Sequence, residues 1–380
     1  MRSQKHLFSL PEEITYLNCA TMSAQLKSVE KIGIENLLKK STPYVIEGKH
    51  FFEERAILKQ RFAQLIDCTD DESVSIIPSV SYGIANAVKN IPFEKGDEII
   101  VLDEQFPSNF YAWKHLETTE GVSLKTVAAP PVASGRGSLW NEKLLNTINS
   151  KTKVVSIPQV HWADGTLFNL KAIREKTNEV GAYLIIDGTQ SVGAMEFSIQ
   201  KIQPDALICA GYKWLMGGYG LGMAYYGARF YDGTPIENNW MNHEGSEDFT
   251  HLAKYNENFK PKSARYDMGE SSNFILTPML SEGIRQLNEW SPKAIQEYCK
   301  IISQAPIQQL KKLGYFIEEE SFRANHLFGI YLSEEKKLQS IKDRLQAEKI
   351  FVSYRGNAIR VSPNVYNTEA DLMKLVECFF

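Results

Sequence analysis

Residues 182–222 read AYLIIDGTQSVGAMEFSIQKIQPDALICAGYKWLMGGYGLG, and this stretch decides how the rest of the chain is organised. An apolar run over 183–186 stops at Asp187 and Gly188. A second, Ala206–Ala210, stops at Gly211-Tyr212-Lys213 before a glycine cluster. Short apolar runs bounded by turn residues suit strands buried on both faces. The segment between them is long enough for a crossover between parallel strands. Each strand then delivers one ionisable residue at its carboxyl end, where open α/β sheets hold their ligands.

A lysine so placed can condense with an aldehyde, and a carboxylate so placed can keep a ring nitrogen protonated. The pair suits pyridoxal 5′-phosphate (PLP). Either residue alone reads more simply as a turn cap or a solvated lysine; their conjunction favours the cofactor. The glycine cluster over 217–222 does not suggest dinucleotide binding, because it leads into a strand-like run over 223–226 rather than opening a helix.

DGTQSVGA and AGYKWLMGGYGLG resemble the pyridine-nitrogen and Schiff-base-lysine segments of the class V aminotransferases of PLP fold type I. That family includes cysteine desulfurases, kynureninases and isopenicillin N epimerase-like proteins. The resemblance implies an α/β fold with a mostly parallel seven-stranded sheet between helices, plus a small α/β carboxyl-terminal domain. It implies a large PLP-binding domain over 15–275. Residues 1–14 and 276–380 then form the small domain, joined by a helix over about 277–290.

At 380 residues, 43% hydrophobic and 23% charged, the chain can bury one large core, or a large domain beside a smaller one. A net charge of −4 offers no reason to expect nucleic acid or an anionic membrane as partner. No apolar run approaches the ~20 residues that span a bilayer. The five cysteines lack CxxC spacing and the seven histidines lack an i, i+4 pair, so no metal is expected. The opening MRSQKHLFSLPEE has no signal-like apolar stretch, and a cytoplasmic location is the expectation.

Helical patterns run over 28–40 and 51–66, broken at Pro43. A strand (Val74–Ile77), a turn over 78–83 and a helix over 84–90 follow. Serines at such a helix start cap it, and its free N–H groups bind phosphate. The resemblance assigns that phosphate to Val80 and Ser81. The next strand, Glu98–Leu102, leads into DEQFPSNFYAW, where an aromatic can be core or can stack on a flat ring. FPSN resembles the FPTD-like segment of kynureninases, which makes Phe106 the ring-covering residue.

Strands are read over 122–127 and 153–159, with a Pro/Gly-rich loop over 130–137 between them and a helix over 169–180 after them. In VHWADGT the family reaches the cofactor's 3′ oxygen through an asparagine, but this chain has His161 and Trp162. His161 is a candidate partner of that oxygen or an acid–base group, and Trp162 a candidate on the substrate side. The resemblance also places Gln190 at the 3′ oxygen, Tyr212 at the phosphate, and Asn18, in ITYLNCA, on the substrate side.

Residues 227–264 show no periodicity and read as a long pocket-shaping loop. RYDMGESSNF, residues 265–274, resembles the family's RFE-x-G-T-x-N segment, whose threonine donates to the phosphate of the neighbouring subunit's cofactor. Glu270 replaces that threonine, so Ser271 or Ser272 is the candidate hydroxyl, and a homodimer with shared active sites is implied. Helices over 277–290, 292–312, 334–348 and 368–379 alternate with strands over 326–332, 350–354 and 358–361. The closing SYRGNAIRVSPNVYNTEADL resembles the R-x-S/A-P-x-x-YNT signature. That implies a bidentate grip of Arg360 on the substrate α-carboxylate, with Arg355 as a second candidate.

The resemblance thus implies a PLP-dependent enzyme acting on a small-molecule α-amino acid through a Schiff base. Transamination is the first expectation, as the reaction that needs least beyond Lys213, Asp187 and Arg360. A C–S (β-elimination) lyase or an amino-acid epimerase is the alternative. Desulfurases of the family carry a nucleophilic cysteine on a mobile loop before the substrate arginine, and no cysteine lies between Cys299 and Cys378. Kynureninase chemistry is disfavoured because VHWADG lacks that enzyme's asparagine. A PLP-fold binding module without catalysis is the different-class alternative, and the presence of Lys213, Asp187 and Arg360 together stands against it.

Overall fold

Apolar runs without polar alternation become strands covered on both faces. The computed structural model describes residues 1–332 and 335–380, the side chains of 335–337 excepted. In chain order its first elements are β1 (Thr15–Tyr16), α1 (Lys27–Lys39), α2 (Glu53–Leu65), β2 (Val74–Ile77), α3 (Val80–Asn90), β3 (Glu98–Leu102), α4 (Tyr111–Thr119), β4 (Ser123–Val127) and α5 (Arg136–Thr147). There follow β5 (Thr152–Pro158), α6 (Leu170–Val180), β6 (Tyr183–Asp187), the single turn α7 (Ile199–Ile202), β7 (Ala206–Ala210) and β8 (Gly222–Tyr226). Residues 227–264 carry only short 3-10 turns. Then come α8 (Leu276–Trp290), α9 (Pro292–Lys312), β9 (Phe328–Tyr331), α10 (Glu335–Ala347), β10 (Ile350–Phe351), β11 (Ser353–Arg355), β12 (Ala358–Val361) and α11 (Glu369–Glu377). The first residue of the helix expected over 334–348 lies outside the described residues.

Seven strands form one sheet in the order β2-β8-β7-β6-β5-β3-β4. Only β8 runs antiparallel to its neighbours, so the mostly parallel seven-stranded sheet is present. Period-two alternation sorts its side chains between two layers. Leu184 and Ile186 of β6 join Leu58, Trp140, Ile173 and Ile284 from α2, α5, α6 and α8. Tyr183 and Ile185 join Ile84 and Trp113 from α3 and α4 on the other face. Burying each such aliphatic side chain contributes about 1.5–3 kcal/mol. Apolar burial on both faces therefore fixes where the strand ends lie.

Two local devices hold the site end of the sheet. Gly83 lets α3 settle on the sheet, since a Cβ there would stand 2.7 Å from Ile208 Cγ2 and 2.9 Å from Ile77 Cδ1. Asp267, within RYDMGESSNF, is fully buried and accepts from Arg55 Nη2 (2.7 Å), Lys59 Nζ (2.6 Å) and the Ile76 N–H (2.7 Å). A buried carboxylate is tolerated only with such pairing, and this one ties α2 to the end of β2 just before α3 begins.

A second, antiparallel sheet has the order β11-β12-β9. Its apolar cluster gathers Phe328, Ile330, Ile359, Leu372 and Leu375 with Tyr298 and Leu310 of α9, and also Leu17. β1 pairs in parallel with β10, so of the extended segment expected over 14–20 only two residues are strand. α5 begins inside the expected loop over 130–137. Gly137, Ser138 and Asn141 dilute its helical propensity, but Trp140 and Leu144, four residues apart, share one face and are buried.

Candidate active site

β5, β6 and β7 end side by side, with β8 between β7 and β2, and the register sets Pro158 beside Asp187 and Asp187 beside Ile208. Their carboxyl ends open into a cavity of about 260 Å³ whose wall includes Pro78, Phe106, Trp162, Asp187, Ala210 and Lys213. This is where a parallel sheet offers a ligand site.

Asp187 is buried and accepts the Thr189 N–H at 3.0 Å. Burial raises its pKa, and the Thr189 bonds and the charge of Lys213 offset that only in part. Lys213 is only 6% exposed. Burial pushes its amine down to about 8; Asp187 opposes that shift, while Arg360 and Arg355 add to it. Nζ stands 5.3 Å from the Phe106 ring centroid and 5.5 Å from that of Tyr212, and donates to no acceptor among the described residues. No ion pair joins Asp187 to Lys213 there either. Two buried ionisable groups are thus left facing the cavity, each lacking a strong partner.

The lowered lysine carries a prediction. An amine attacks an aldehyde only when neutral, so capture of PLP by cofactor-free protein should accelerate as pH rises through about 8 and then level off. An ordinary lysine would accelerate up to about 10.4. Stopped-flow absorbance across pH 6.5–10 would read the midpoint, and a midpoint above 9.5 would refute the burial argument.

At the other end of the cavity, α3 starts from Ser79, whose hydroxyl caps the Tyr82 N–H at 3.3 Å. The Val80 and Ser81 N–H groups are orphan donors of the first turn, and Ser79 Oγ and Ser81 Oγ lie 3.0 Å apart. Both residues line the cavity, and a helix start of this kind takes a phosphate. A flat heteroaromatic phosphate fits this wall: orphan N–H groups at one end, an incompletely neutralised carboxylate at the other, the Phe106 ring and the Lys213 amine between.

Arg360 is 1% exposed. Its Nη1 donates to the Trp162 carbonyl at 2.9 Å, and its Nη2 to Thr21 Oγ1 at 2.6 Å and Ser353 Oγ at 3.3 Å. Burial pushes its pKa down to about 9, with Arg355 adding to the effect. No carboxylate pairs with it among the described residues. A buried guanidinium held only by neutral acceptors is a site for an anion.

Of the expected residues, Val80, Ser81, Phe106, Trp162, Asp187, Gln190, Tyr212 and Lys213 all line the cavity. Asn18 and Arg360 do not; Asn18 Oδ1 accepts from Thr21 Oγ1 (2.9 Å) and Ser353 Oγ (2.7 Å), so it stands behind the hydroxyls that hold Arg360. Gln190 lines the wall but turns its amide away, donating to the Ala20 carbonyl at 3.0 Å and accepting from Trp214 Nε1 at 2.9 Å. The structure corrects the place of His161. It is fully buried against Trp140, ring centroids 4.9 Å apart, with Nδ1 3.3 Å from Asp164 Oδ1. Burial raises the pKa of Asp164, but His161, Arg136 and the Thr166 N–H outweigh that and hold it well below the usual carboxylate range. Val160 and Trp162 face the cavity; side-chain alternation turns the residue between them into the core. Ser271 also lies off this cavity, buried with its hydroxyl 4.0 Å from Met241 Sδ.

Sequence reading took Ser79 only as a candidate helix cap and missed Thr189, Thr21 and Ser353. The first two flank residues it did single out. The last two reach Arg360 only through the fold, at sequence separations no local motif reveals.

The family model Aminotransferase class-V matches residues 47–375. The chain is similar to the "uncharacterized aminotransferase YcbU" of Bacillus subtilis, 23% identical over 378 residues, which is 98% of this chain and 95% of that protein. Among solved structures it is similar to a mutant of C-DES with glycine covalently linked to its PLP cofactor. The TM-score there is 0.85 at 16% identity, over 99% of this chain and 98% of that one. The apo cysteine desulfurase from Thermococcus onnurineus NA1 gives a TM-score of 0.79 at 18% identity, over 99% and 97% of the two chains. Both likenesses concern the fold.

Proposed function

We propose, from the premise that this chain belongs to the class-V aminotransferase family, that it moves the amino group of an α-amino acid to a keto acid. The enzyme is PLP-dependent, and that cofactor supplies an aldehyde that condenses with amines and a ring that accepts electrons. The chain's own residues supply the rest. Asp187 would hold the protonated ring nitrogen, and the Val80 and Ser81 N–H groups with the Ser81 hydroxyl would hold the phosphate. Phe106, on the cavity wall, would cover the cofactor ring. Tyr212, beside Lys213 on the cavity wall, is assigned to the phosphate end. Lys213 both anchors the cofactor and, once free, carries a proton at the substrate Cα; an amine near pKa 8 suits transfer in both directions near neutrality.

Arg360 carries the reading. A buried guanidinium with no acid of its own, bonded to the carbonyl of Trp162 on the cavity wall, supports an α-carboxylate bound in this site. Persulfide formation lacks a nucleophile here. No cysteine among the described residues lines the cavity, and Cys19 is fully buried, accepts from Asn364 Nδ2 at 3.2 Å and is pushed up to about 12 by burial.

The test is a half-reaction. Holoenzyme given one amino acid at a time should yield keto acid equal to enzyme, and turn over continuously only when a second keto acid is added. Ammonia or pyruvate released catalytically without any acceptor would replace this reading with the lyase.

We further propose a homodimer with shared sites and a division at about residue 275. The exposed apolar residues Ile34, Leu37 and Leu38 of α1 and the position of Ser271 away from its own cavity support the first. The separate cluster around Phe328 and Leu372 supports the second. No described helix is long and apolar enough to cross a membrane. A cytoplasmic location is proposed on the five free cysteines, four of them buried.

A further inference from the structure

The geometry points to Arg355 as a second anion site, and we propose that the substrate is an α-amino acid bearing another carboxylate on its side chain. The inference rests on the reading above for the α-carboxylate at Arg360, and deepens it by naming the substrate class.

The register of the β11–β12 hairpin sets Ser353 opposite Arg360 and Arg355 opposite Ala358. Cross-strand partners share a face, as do residues two apart along a strand. Arg355 and Arg360 are therefore diagonal neighbours on one face, a placement that in general separates Cβ atoms by about 7 Å. At that range two guanidinium groups repel, and Arg355 contributes to the lowered pKa of both Arg360 and Lys213. Neither arginine pairs with a carboxylate among the described residues.

Trp162 joins the two. Its carbonyl accepts from Arg360 Nη1, its ring lies 5.1 Å from the Arg355 guanidinium carbon, and its ring centroid is 5.5 Å from that of Phe106. It lines both the site cavity and an adjoining cavity of about 410 Å³, which Arg355 also lines. Asp103, Glu104 and Arg136 also line that second cavity. Asp103 accepts the Glu104 and Ala129 N–H groups (3.1 and 3.3 Å), and Arg136 pairs with Asp164 at 2.9 Å. Glu104 makes no ion pair with Arg355, whose buried Nε has no partner. Two like charges on one hairpin face, neither ion-paired among the described residues, can take two negative charges from a ligand. One small molecule with two carboxylates, running along Trp162, meets that need.

Inert diacids test this without turnover. Titration calorimetry of the holoenzyme with succinate and glutarate, against butyrate and valerate, should show at least one diacid binding about tenfold or more tighter than its monoacid. Arg355→Met should erase that preference, and Arg355→Lys, which keeps the charge but not the fork, should restore part of it. Equal binding of diacids and monoacids by wild type, or a preference that survives in Arg355→Met, would overturn the proposal. Failure of the transaminase reading shows itself separately, as absence of keto acid in the half-reaction.

Discussion

Lys213→Ala is expected to lower the rate of keto acid formation by about 10⁴-fold or more, a barrier increase above roughly 5 kcal/mol. Two losses combine. The alanine cannot anchor an aldehyde, and it cannot carry a proton between substrate atoms. Because Lys213 forms no hydrogen bond or ion pair with the described residues, and its amine is buried at a cost to its charged form, its removal should not destabilise the fold. Thermal unfolding should therefore stay at or above that of wild type while activity disappears. Borohydride should fix cofactor covalently to wild type and not to the variant. Added methylamine, small enough for the vacated space, should restore part of the proton-transfer rate. A variant that kept its rate within tenfold of wild type would remove Lys213 from the chemistry.

Arg360→Met is expected to cost about 10²- to 10³-fold in kcat/KM, roughly 3–4 kcal/mol, with most of the loss in KM. The methionine matches much of the arginine's length and apolar stem but offers no donors. The bonds from Arg360 to Trp162, Thr21 and Ser353 are lost too. An unpaired buried Trp162 carbonyl would cost about 1–3 kcal/mol of stability. A second measurement separates the effects. For an amine of the same shape lacking the α-carboxylate, wild type and variant should differ by less than about threefold, since a binding role acts only where there is an anion to bind. A parallel loss on both substrates would show that Arg360 acts by holding Trp162 in place and not by holding substrate. Arg360→Lys should recover little, because a point charge cannot reproduce a two-pronged contact.

Asp187 and Lys213 were legible because each ends an apolar run, and buried strands announce themselves by such runs. Phe106, Tyr212 and Ser81 line the cavity for a related reason: each lies in the turn just past the carboxyl end of a strand or at the start of the helix that follows it. His161 shows where that reasoning stops. It sits in the right stretch of the chain, but its side chain turns into the core, and the Trp140 ring that receives it could not be read from the motif. α5 was hidden in the same way, since its propensity is weak and its packing is what makes it a helix.

The sequence by itself determined the seven strands of the large sheet, the lysine and aspartate at two strand ends, and the helix start that would take a phosphate. These follow from local rules of periodicity, capping and turn chemistry. Tertiary structure alone decided that Arg360 meets the carbonyl of Trp162 across 198 residues of chain, and that Arg355 joins it on the same hairpin face without an acid to neutralise either. Contacts at such separations are set by which apolar faces pack together, and no window of sequence contains both partners.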